Sequence, residues 1–235
     1  MSVRVLTGTS GYSYAEWKGN FYPEKMPAKD MLRFYAERFP TVEINNTFYR
    51  MPKEDLLQAW AVQVPESFTF VIKASQRITH IQRLKDPGEL VTYLYRVTAT
   101  LGGRLGPLLF QLPPNFKKDL GRLAEFLAAR PDGRRVAIEF RHASWFDDEV
   151  FQLLREQGVA LCVADTGEEP AAPLVATTGW GYLRLRREEF SDEALQEWAS
   201  RIREQPWSDA YVFLKHEEEG KGPKLAARLA ELCRA

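Results

Sequence analysis

The stretch 135–145, Arg-Val-Ala-Ile-Glu-Phe-Arg-His-Ala-Ser-Trp, places ionisable side chains at the end of an apolar run. Its first residues are typical of a buried strand. Because side chains alternate along a strand, Glu139 and Arg141 share one face and Phe140 lies on the other. A carboxylate and a guanidinium in these positions are costly to bury unless each finds a partner. The pattern therefore indicates a binding or catalytic site at the end of this strand.

Several other predicted strands also end in polar or ionisable side chains. These are Glu43 with Asn45, Lys73, Gln111, Asp165, Arg184, and Lys215 or His216. Barrel enzymes place their sites at the carboxyl ends of parallel strands, so these side chains would meet at one mouth. Within this set we expect Glu43, Lys73, Gln111, Glu139 and Arg184 to converge in one cleft. The recurrence is more specific than any one residue.

Eight strand patterns separated by helical patterns position these residues. The predicted strands span 3–7, 41–45, 68–73, 105–111, 135–140, 159–165, 182–186 and 210–216. The predicted helices span 29–39, 54–64, 87–101, 119–129, 147–157, 192–204 and 223–233. This alternation predicts a TIM-type (β/α)8 barrel forming one domain over residues 1–235. The segment 166–176 has no helical pattern, so we expect the helix after strand 6 to be missing or irregular.

An open doubly wound sheet is the alternative architecture. Such sheets usually carry a glycine-rich phosphate turn after the first strand. The turn at Gly8-Thr-Ser-Gly11 lacks the G-x-G-x-x-G spacing. The barrel is therefore the favoured prediction.

The composition is that of an ordinary globular protein. The 235 residues are 45% hydrophobic and 27% charged, and Lys+Arg and Asp+Glu both number 32. A balanced charge gives no general attraction to nucleic acid or to an anionic membrane. No apolar run has the length of a membrane span, the N-terminus enters a strand pattern directly, and two distant cysteines form no metal-binding or disulfide pattern. We expect a cytoplasmic protein, and the oligomeric state is left open.

Structural roles compete with functional ones for most of these residues. Glu43, Lys73, Glu139 and Arg184 can be interpreted as an ion-pair ring that caps the barrel. Asp165 can be interpreted as the cap of the following turn. A lone histidine such as His80 or His142 is more often a satisfied surface residue than a ligand, and loop aromatics pack more often than they stack on a substrate. Arg186 and Arg187 are expected to be solvated.

A set of longer motifs resembles a known family. They are Gly8-Thr-Ser-Gly-Tyr-Ser-Tyr14 with Trp17, Phe21-Tyr-Pro23, Val42-Glu-Ile-Asn-Asn-Thr-Phe-Tyr49 with Pro52, Phe68-Thr-Phe with Lys73, Thr79-His80, Gln111-Leu-Pro-Pro114 with Phe116, and Glu139-Phe-Arg-His142 with Ser144-Trp145. The chain is similar to the YecE-like family, also called domain of unknown function 72, over essentially its whole length. The resemblance implies a TIM-type barrel and a bacterial or archaeal cytoplasmic protein. It implies no reaction.

The C-terminal third departs from the pattern of that family. His-Gly is expected after Tyr182-Leu-Arg184, whereas this chain has Arg186 and Arg187 shortly after it. Phe-Asn-Asn is expected at the last strand, whereas this chain has Leu214-Lys-His216. These differences indicate a sub-branch with an altered ligand.

The first functional hypothesis is an enzyme of the hydrolase, lyase or isomerase type that acts on a small anionic or sugar-like substrate. Glu43 and Glu139, with Asp165, would supply the acid and base groups. Lys73, Arg141 and Arg184 would hold a phosphate or carboxylate. The remaining predicted substrate-binding residues are Asn45, Gln111, His80 and His142, with Tyr12, Tyr49 and Trp145 as an aromatic roof.

Two variants of this enzyme hypothesis differ in their chemistry. In one, Lys73 forms a Schiff base with the substrate. In the other, Glu43, Glu139, Asp165 and His216 ligate a divalent metal. The cations at the strand ends would repel a metal, so we predict no cofactor and keep the metal as the alternative. The three cations would also repel one another in an empty site, so removal of the Arg184 charge is expected to preserve or raise stability.

The second functional hypothesis is a non-catalytic or nucleic-acid-associated binding protein. An arginine-rich rim would contact the phosphate backbone. Its members would be Arg134, Arg135, Arg184, Arg186 and Arg187. The zero net charge counts weakly against this hypothesis, and we expect a small-molecule partner and no membrane.

Overall fold

Eight parallel strands form a single, nearly closed barrel in the computed structural model, which describes residues 2–131, 133–168 and 171–234. The strands are β1 (Arg4–Thr9), β2 (Thr41–Ile44), β3 (Thr69–Lys73), β4 (Leu105–Gln111), β5 (Val136–Glu139), β6 (Val159–Asp165), β7 (Trp180–Leu185) and β8 (Asp209–Leu214). Each strand except β1 and β2 is hydrogen-bonded to both neighbours in chain order, and β8 returns to pair with β1. The predicted TIM-type barrel is confirmed.

Helices connect most consecutive strands on the outside of this barrel. They are α1 (Met31–Ala36), α2 (Glu54–Ala61), α3 (Gly88–Thr98), α4 (Leu120–Ala129), α5 (Asp148–Glu156), α6 (Asp192–Arg203) and α7 (Lys221–Arg234). Asp119, Asp147 and Ser191 cap α4, α5 and α6 by accepting a backbone N–H with their side chains. No helix in the described part of the chain is long and apolar enough to cross a membrane.

The connection between β6 and β7 lacks a helix in its described residues, 166–168 and 171–179, as the sequence predicts. The predicted strand bounds at β4 and β6 agree with the structure, whereas β8 ends at Leu214. Lys215 and His216 therefore lie in the loop that follows β8. This loop leads directly into α7.

The seam between β1 and β2 closes the barrel differently from the other strand pairs. No ladder joins the two strands, and an isolated bridge pairs Ser10 with Glu43. The Tyr35 hydroxyl lies in the gap, where it accepts the Thr9 N–H at 2.8 Å and donates to the Thr41 carbonyl oxygen at 3.1 Å. Gly8 faces that carbonyl so closely that a Cβ atom would collide with it. One of the predicted site residues, Glu43, thus also closes the barrel.

The barrel interior is filled by inward-facing side chains, mostly large and apolar. They form a cluster of Leu6, Val71, Leu109, Ala137, Ala160, Cys162, Trp180, Tyr182, Tyr211 and Phe213. The alternate residues of the same strands pack outward against the helices in a second, larger core. Because the interior is packed through most of its depth, ligands can approach only at its ends. The inward positions nearest the carboxyl ends carry the polar residues.

Candidate functional site

A continuous chain of hydrogen bonds crosses the carboxyl end of the barrel. Lys73 Nζ donates to Gln111 Oε1 at 2.9 Å, and Gln111 Nε2 donates to Glu139 Oε1 at 2.7 Å. Arg184 Nη1 donates to Glu139 Oε2 at 2.6 Å, and Arg184 Nη2 donates to Glu43 Oε1 at 2.8 Å. Strand ends from β2, β3, β4, β5 and β7 are therefore joined in one network. The structure brings together all five residues expected in the cleft, and we call them the polar layer.

Glu43 is completely buried and accepts hydrogen bonds on both carboxylate oxygens. Ser10 Oγ and Asn45 Nδ2 donate to Oε1 at 2.7 and 3.0 Å, in addition to Arg184. The Tyr182 hydroxyl donates to Oε2 at 2.6 Å. Burial alone would raise the pKa of Glu43, but the charge and hydrogen bonds of Arg184, followed by the bonds from Tyr182 and Ser10, outweigh it and lower the pKa to about 2. Glu43 is therefore ionised at neutral pH.

Glu139 is held in the same way on the opposite side of Arg184. Burial opposes ionisation, but the charges of Arg184, Arg141 and Arg186 together hold the pKa of Glu139 well below its ordinary value. Arg141 Nε donates to Glu139 Oε1 at 2.9 Å. Neither Glu139 nor Glu43 carries a proton near neutral pH, so neither is prepared to act as a general acid. The predicted acid/base pair is arranged as two permanent anions.

Arg184 is the centre of the polar layer rather than an open anion clamp. Its side chain is 1% exposed, and both terminal nitrogens are engaged with Glu43 and Glu139. Asn45 Oδ1 accepts a further, longer bond from Nη2 at 3.3 Å. The two buried carboxylates pair with the guanidinium, so Arg184 is not an unpaired cation that the structure would gain from losing, although its charge still acts on Lys73. With both terminal nitrogens engaged, Arg184 is not available to hold a substrate anion, so any anion would have to bind to other cations.

Lys73 differs from Arg184 because no carboxylate lies within ion-pair distance of it in the described chain. Its ammonium lies 4.0 Å from the centre of the Phe48 ring, and the side chain is 8% exposed. Burial lowers the pKa of Lys73 to about 8, assisted by the nearby charge of Arg184 and opposed by Glu43 and Glu139. A fraction of Lys73 is therefore uncharged at neutral pH, which is unusual for a lysine.

Arg186 and Arg141 lie at the outer edge of the polar layer with free donors. Arg186 has the inward parity of Tyr182 and Arg184, is half-buried, and its guanidinium makes no hydrogen bond or ion pair with the described residues. Arg141 is 35% exposed and uses only Nε to contact Glu139. Burial and then the charge of Arg184 lower the pKa of Arg186. The expectation that Arg186 is simply solvated is therefore wrong.

A cleft with a volume of about 660 Å³ opens beside these two arginines. Its walls come from the ends of β5 to β8 and the loops that follow them: Arg141, Thr166, Glu168, Arg186, Arg187, Glu188, Glu189, Lys215, His216, Glu217, Glu218 and Lys221. This volume is in the range of small-molecule sites. Lys73, at the end of β3, is not among the residues that line this cleft. The cleft and Lys73 together span the barrel mouth.

Comparison with known proteins identifies the family of this chain. The model of the family described as "Protein of unknown function DUF72" matches residues 6–235. The chain belongs to the DUF72 family. A DUF72 family protein of known crystal structure from Thermotoga maritima is 27% identical, with a TM-score of 0.85 over 99% of this chain and 100% of that one.

Curated relatives of this DUF72 protein match over a shorter region. The UPF0759 protein YunF of Bacillus subtilis is 30% identical over 141 residues, which is 57% of this chain and 50% of YunF. The UPF0759 protein YecE of Escherichia coli K12 is 30% identical over 147 residues, which is 60% of this chain and 54% of YecE. The matched region thus covers about half the length of these relatives. The resemblance to the YecE-like family predicted from the motifs is confirmed.

The aromatic and histidine residues expected around the DUF72 site lie at different depths. Trp145 is fully buried, stacks on Phe140 and donates Nε1 to the Phe116 carbonyl oxygen, so it has no surface for a ligand. Its predicted place in the roof is wrong. Tyr49 is 75% exposed above Phe48, at the rim. Tyr12 is half-buried against Tyr35, and burial raises its pKa to about 12.

The two histidines near the mouth have local partners. His80 Nδ1 pairs with the Thr79 hydroxyl at 2.9 Å, and its ring packs edge-on against Phe48. Burial, then the charges of Lys73 and Arg141, lower the pKa of His80. His142 Nδ1 accepts the Ser144 N–H at 3.1 Å, so His142 caps a short 3₁₀ turn. His80 therefore remains near the polar layer, while His142 has a local structural contact.

Asp165 does not join the polar layer. It has outward parity on β6, where its carboxylate accepts Trp198 Nε1 at 2.9 Å, Arg187 Nε at 2.7 Å and the Gly167 N–H at 3.2 Å. This is the turn-capping role left open by the sequence, and the catalytic alternative is not supported. The proposed metal ligands Glu43, Glu139, Asp165 and His216 do not gather. Within residues 2–131, 133–168 and 171–234, no group of three or more His, Cys, Asp and Glu side chains could hold a metal ion.

The predicted arginine-rich surface is also divided. Arg134 and Arg135 precede β5, and Arg135 pairs with Asp209 at the start of β8 at 2.9 Å. Arg186 and Arg187 follow β7, at the opposite end of the barrel, and Arg184 is buried. Because strands of a parallel barrel share one direction, the two groups of arginines face opposite ends. They cannot form one nucleic-acid surface.

Three residues of the site escaped prediction, namely Ser10, Phe48 and Tyr182. Tyr182 lies two residues before Arg184, so inward parity alone would have placed it beneath Arg184. Ser10 directly follows β1, which extends to Thr9, whereas the predicted strand ends at residue 7. Phe48 lies in a 3₁₀ turn after β2, and no periodicity in the sequence shows that its ring covers Lys73.

Proposed function

We propose that this protein is an enzyme of the lyase or isomerase type that binds a small anionic substrate at the carboxyl end of its barrel. The observation that carries this proposal is the Arg186 guanidinium, which is half-buried at the cleft without a counter-charge among the described residues. Burying part of a cation without a counter-charge costs free energy, and a bound anion would offset that cost. Arginine also presents the planar pair of donors that suits a carboxylate or phosphate.

The other residues at the mouth fit consistent roles. The terminal nitrogens of Arg141 lie next to the cleft without a hydrogen-bond partner among the described residues, and they would bind the same anion. Glu43, Glu139 and Arg184 would act as a fixed, ionised platform that holds the strand ends in place. Lys73 would exchange protons with the substrate, because its pKa of about 8 lies nearest to neutrality among the buried charges of the polar layer. Gln111 would orient the Lys73 amine through its 2.9 Å contact.

Hydrolysis by a carboxylate pair is less well supported than these reactions. That mechanism requires one carboxyl group that is protonated at working pH. The pKa of Glu43 is about 2, and that of Glu139 is held low by three arginines. Lysine-centred chemistry needs no protonated carboxyl group. For this reason we favour the lyase and isomerase classes over hydrolysis.

A thermal-shift comparison tests the anion part of this proposal. Phosphate, sulfate and small dicarboxylates should raise the melting temperature of the parent by several degrees, because a ligand stabilises only the state that it binds. The same anions should have little effect on Arg186→Met. Arg201→Met is the matched control, since Arg201 lies on α6, does not line the cleft and is 38% exposed, with a 3.9 Å contact to Glu197 and its guanidinium 4.2 Å from the centre of the Trp198 ring. An equal response in Arg186→Met and the parent would contradict the proposal.

A further inference from the structure

Lys73 has surroundings that a purely structural cation would not need. Its ammonium contacts the face of Phe48 at 4.0 Å and one amide oxygen, Gln111 Oε1, at 2.9 Å. No carboxylate of the described residues lies within 4.0 Å of it, although Glu43 and Glu139 belong to the same layer. Both carboxylates are instead directed at Arg184. The ammonium of Lys73 is thus buried against an aromatic ring in the same layer as Arg184, and no described carboxylate forms an ion pair with it.

Burial and the lack of a paired carboxylate favour the neutral amine, whereas the Phe48 face and the more distant Glu43 and Glu139 favour the ammonium. Desolvation, followed by the charge of Arg184, outweighs them and lowers the pKa of Lys73 to about 8. Desolvation and a nearby cation are also the means by which enzymes activate a lysine as a nucleophile. Gln111 cannot move freely to another partner, because its Nε2 is fixed to Glu139 at 2.7 Å. The amide oxygen therefore holds one N–H of Lys73. The nitrogen lone pair of the neutral amine remains available on another side.

We propose that Lys73 forms an imine with the carbonyl carbon of a small aldehyde or ketone that also carries a carboxylate or phosphate group. This inference rests on the proposed function, because Arg141 and Arg186 would hold the anionic group while Lys73 reaches the carbonyl. Arginine in place of Lys73 could supply a charge but no nucleophile. The substrate class is therefore a 2-oxo acid or a phosphorylated carbonyl compound.

The chemical step is balanced without an oxidant or a reductant. The Lys73 lone pair attacks the carbonyl carbon, a C–N bond forms, and the π electrons move to the oxygen, which takes the first proton that the nitrogen releases. The carbinolamine hydroxyl then takes the second nitrogen proton, relayed by solvent, and leaves as water, while the nitrogen electrons form the C=N bond. Once protonated, the imine draws electrons from the neighbouring carbon, so a C–H or C–C bond there is weakened. This is the chemistry that a lyase or an isomerase requires.

Reductive trapping on the parent protein tests this inference. Pyruvate and glycolaldehyde phosphate serve as the anionic probes, acetone and glycolaldehyde as the uncharged ones, each with sodium cyanoborohydride. Peptide mass spectrometry then locates the reduced adduct. We expect adducts on Lys73 to form at least about tenfold faster than on the exposed Lys117, because the lowered pKa of Lys73 leaves its amine neutral far more often at pH 7 than a lysine usually is.

The two anionic probes distinguish a carboxylate from a phosphate substrate. Faster labelling of Lys73 by either one than by its uncharged counterpart supports the inference and names the anion. Lys73→Met should lose this adduct, and its thermal melt shows whether it folds. Mapping on the parent remains decisive if that variant does not fold. Labelling spread evenly over the exposed lysines, or equal labelling of Lys73 by charged and uncharged probes, would overturn the inference.

The controls separate this inference from the proposed function. If phosphate or sulfate raises the melting temperature of the parent and not of Arg186→Met, but Lys73 is never labelled, anion binding stands and the imine is excluded. If Arg186→Met abolishes the preference for the anionic probes while Lys73 is still labelled slowly, both are supported. Failure of the anion response together with indiscriminate labelling would exclude both.

Discussion

Arg184, in β7, and Arg186, directly after that strand, occupy successive inward positions, yet only Arg184 has counter-charges among the described residues. Arg184 lies 2.8 Å from Glu43 and 2.6 Å from Glu139 and is 1% exposed. Arg186 is half-buried and has no ion pair with the described residues. Arg184 is therefore part of the buried polar layer, whereas Arg186 lines the cleft at the barrel mouth. This difference gives opposite expectations for the two neutral variants.

Arg184→Met should destabilise the protein by about 3–5 kcal/mol, because it leaves two buried carboxylates without their shared partner. The free energy of unfolding in urea measures the effect. Arg186→Met is the matched control, and it should change the unfolding free energy by less than about 0.5 kcal/mol or raise it slightly. The sequence alone predicted that loss of the Arg184 charge would preserve stability. Equal stability of Arg184→Met and the parent would restore that earlier expectation.

The hydroxyl of Tyr182 provides a second test of the polar layer. Tyr182→Phe should cost about 1–3 kcal/mol, because the completely buried Glu43 Oε2 loses a 2.6 Å hydrogen bond. Tyr211 lies in the same barrel interior, and its hydroxyl has no hydrogen bond with the described residues. Tyr211→Phe should therefore change stability by less than about 0.5 kcal/mol. Similar losses in both variants would mean that packing, rather than the bond to Glu43, is measured.

Acid should weaken the polar layer within a definite pH window. The pKa of Glu43 is about 2 in the folded protein against an ordinary value of 4.5, so the unfolded chain binds more protons between these values. The stabilisation by Glu43 is then complete above about pH 4.5 and is lost as the pH falls toward 2. Urea unfolding between pH 2 and 6 should show a flatter profile for Glu43→Gln than for the parent. Glu16→Gln, at an exposed position, should keep the parent's slope.

Much of the fold and part of the site could be predicted because both follow from strand periodicity. The alternation of elements gave the barrel, and inward parity brought Glu43, Gln111 and Glu139 to one end. Periodicity says nothing about which opposite charges pair. The sequence therefore predicts a free anion clamp at Arg184 and a solvated side chain at Arg186, whereas Arg184 is buried between two carboxylates and Arg186 is half-buried.

Residues beyond the strand ends were the least predictable. Asp165 follows an apolar run, as Glu139 does. Side chains alternate along a strand, and Asp165 falls on the outward-facing set, where it accepts a hydrogen bond from Trp198. Trp145 looked like part of a binding wall, but its ring packs on Phe140 in the core. In both cases the local sequence gives the residue type, while the direction of the side chain depends on packing from distant elements. The contact between Phe48, in a 3₁₀ turn after β2, and Lys73 on β3 likewise depends on packing between elements rather than on the local sequence.

The buried charge of Lys73 should make stability rise with pH above neutrality. The folded pKa is about 8 against an ordinary value of 10.5, so the unfolded chain holds more protons between these values. Below pH 8 both states carry the charge, and its burial opposes folding in full. From pH 8 to 10.5 the folded state is relieved of that charge first, and the free energy of unfolding rises by up to about 3 kcal/mol.

Lys73→Met isolates this contribution because methionine has a similar length and does not titrate. We expect the difference in unfolding free energy between parent and Lys73→Met to change with pH over that window, in favour of the parent as the pH rises. The charges that face Lys73 are Arg184, Glu43, Glu139 and Arg186, and both proteins carry these residues, so their own contributions to stability cancel in the difference. Lys73→Met should also be the more stable protein at pH 7. A pH-independent difference would show that Lys73 keeps an ordinary pKa, and the nucleophilic amine inferred above would lose its physical basis.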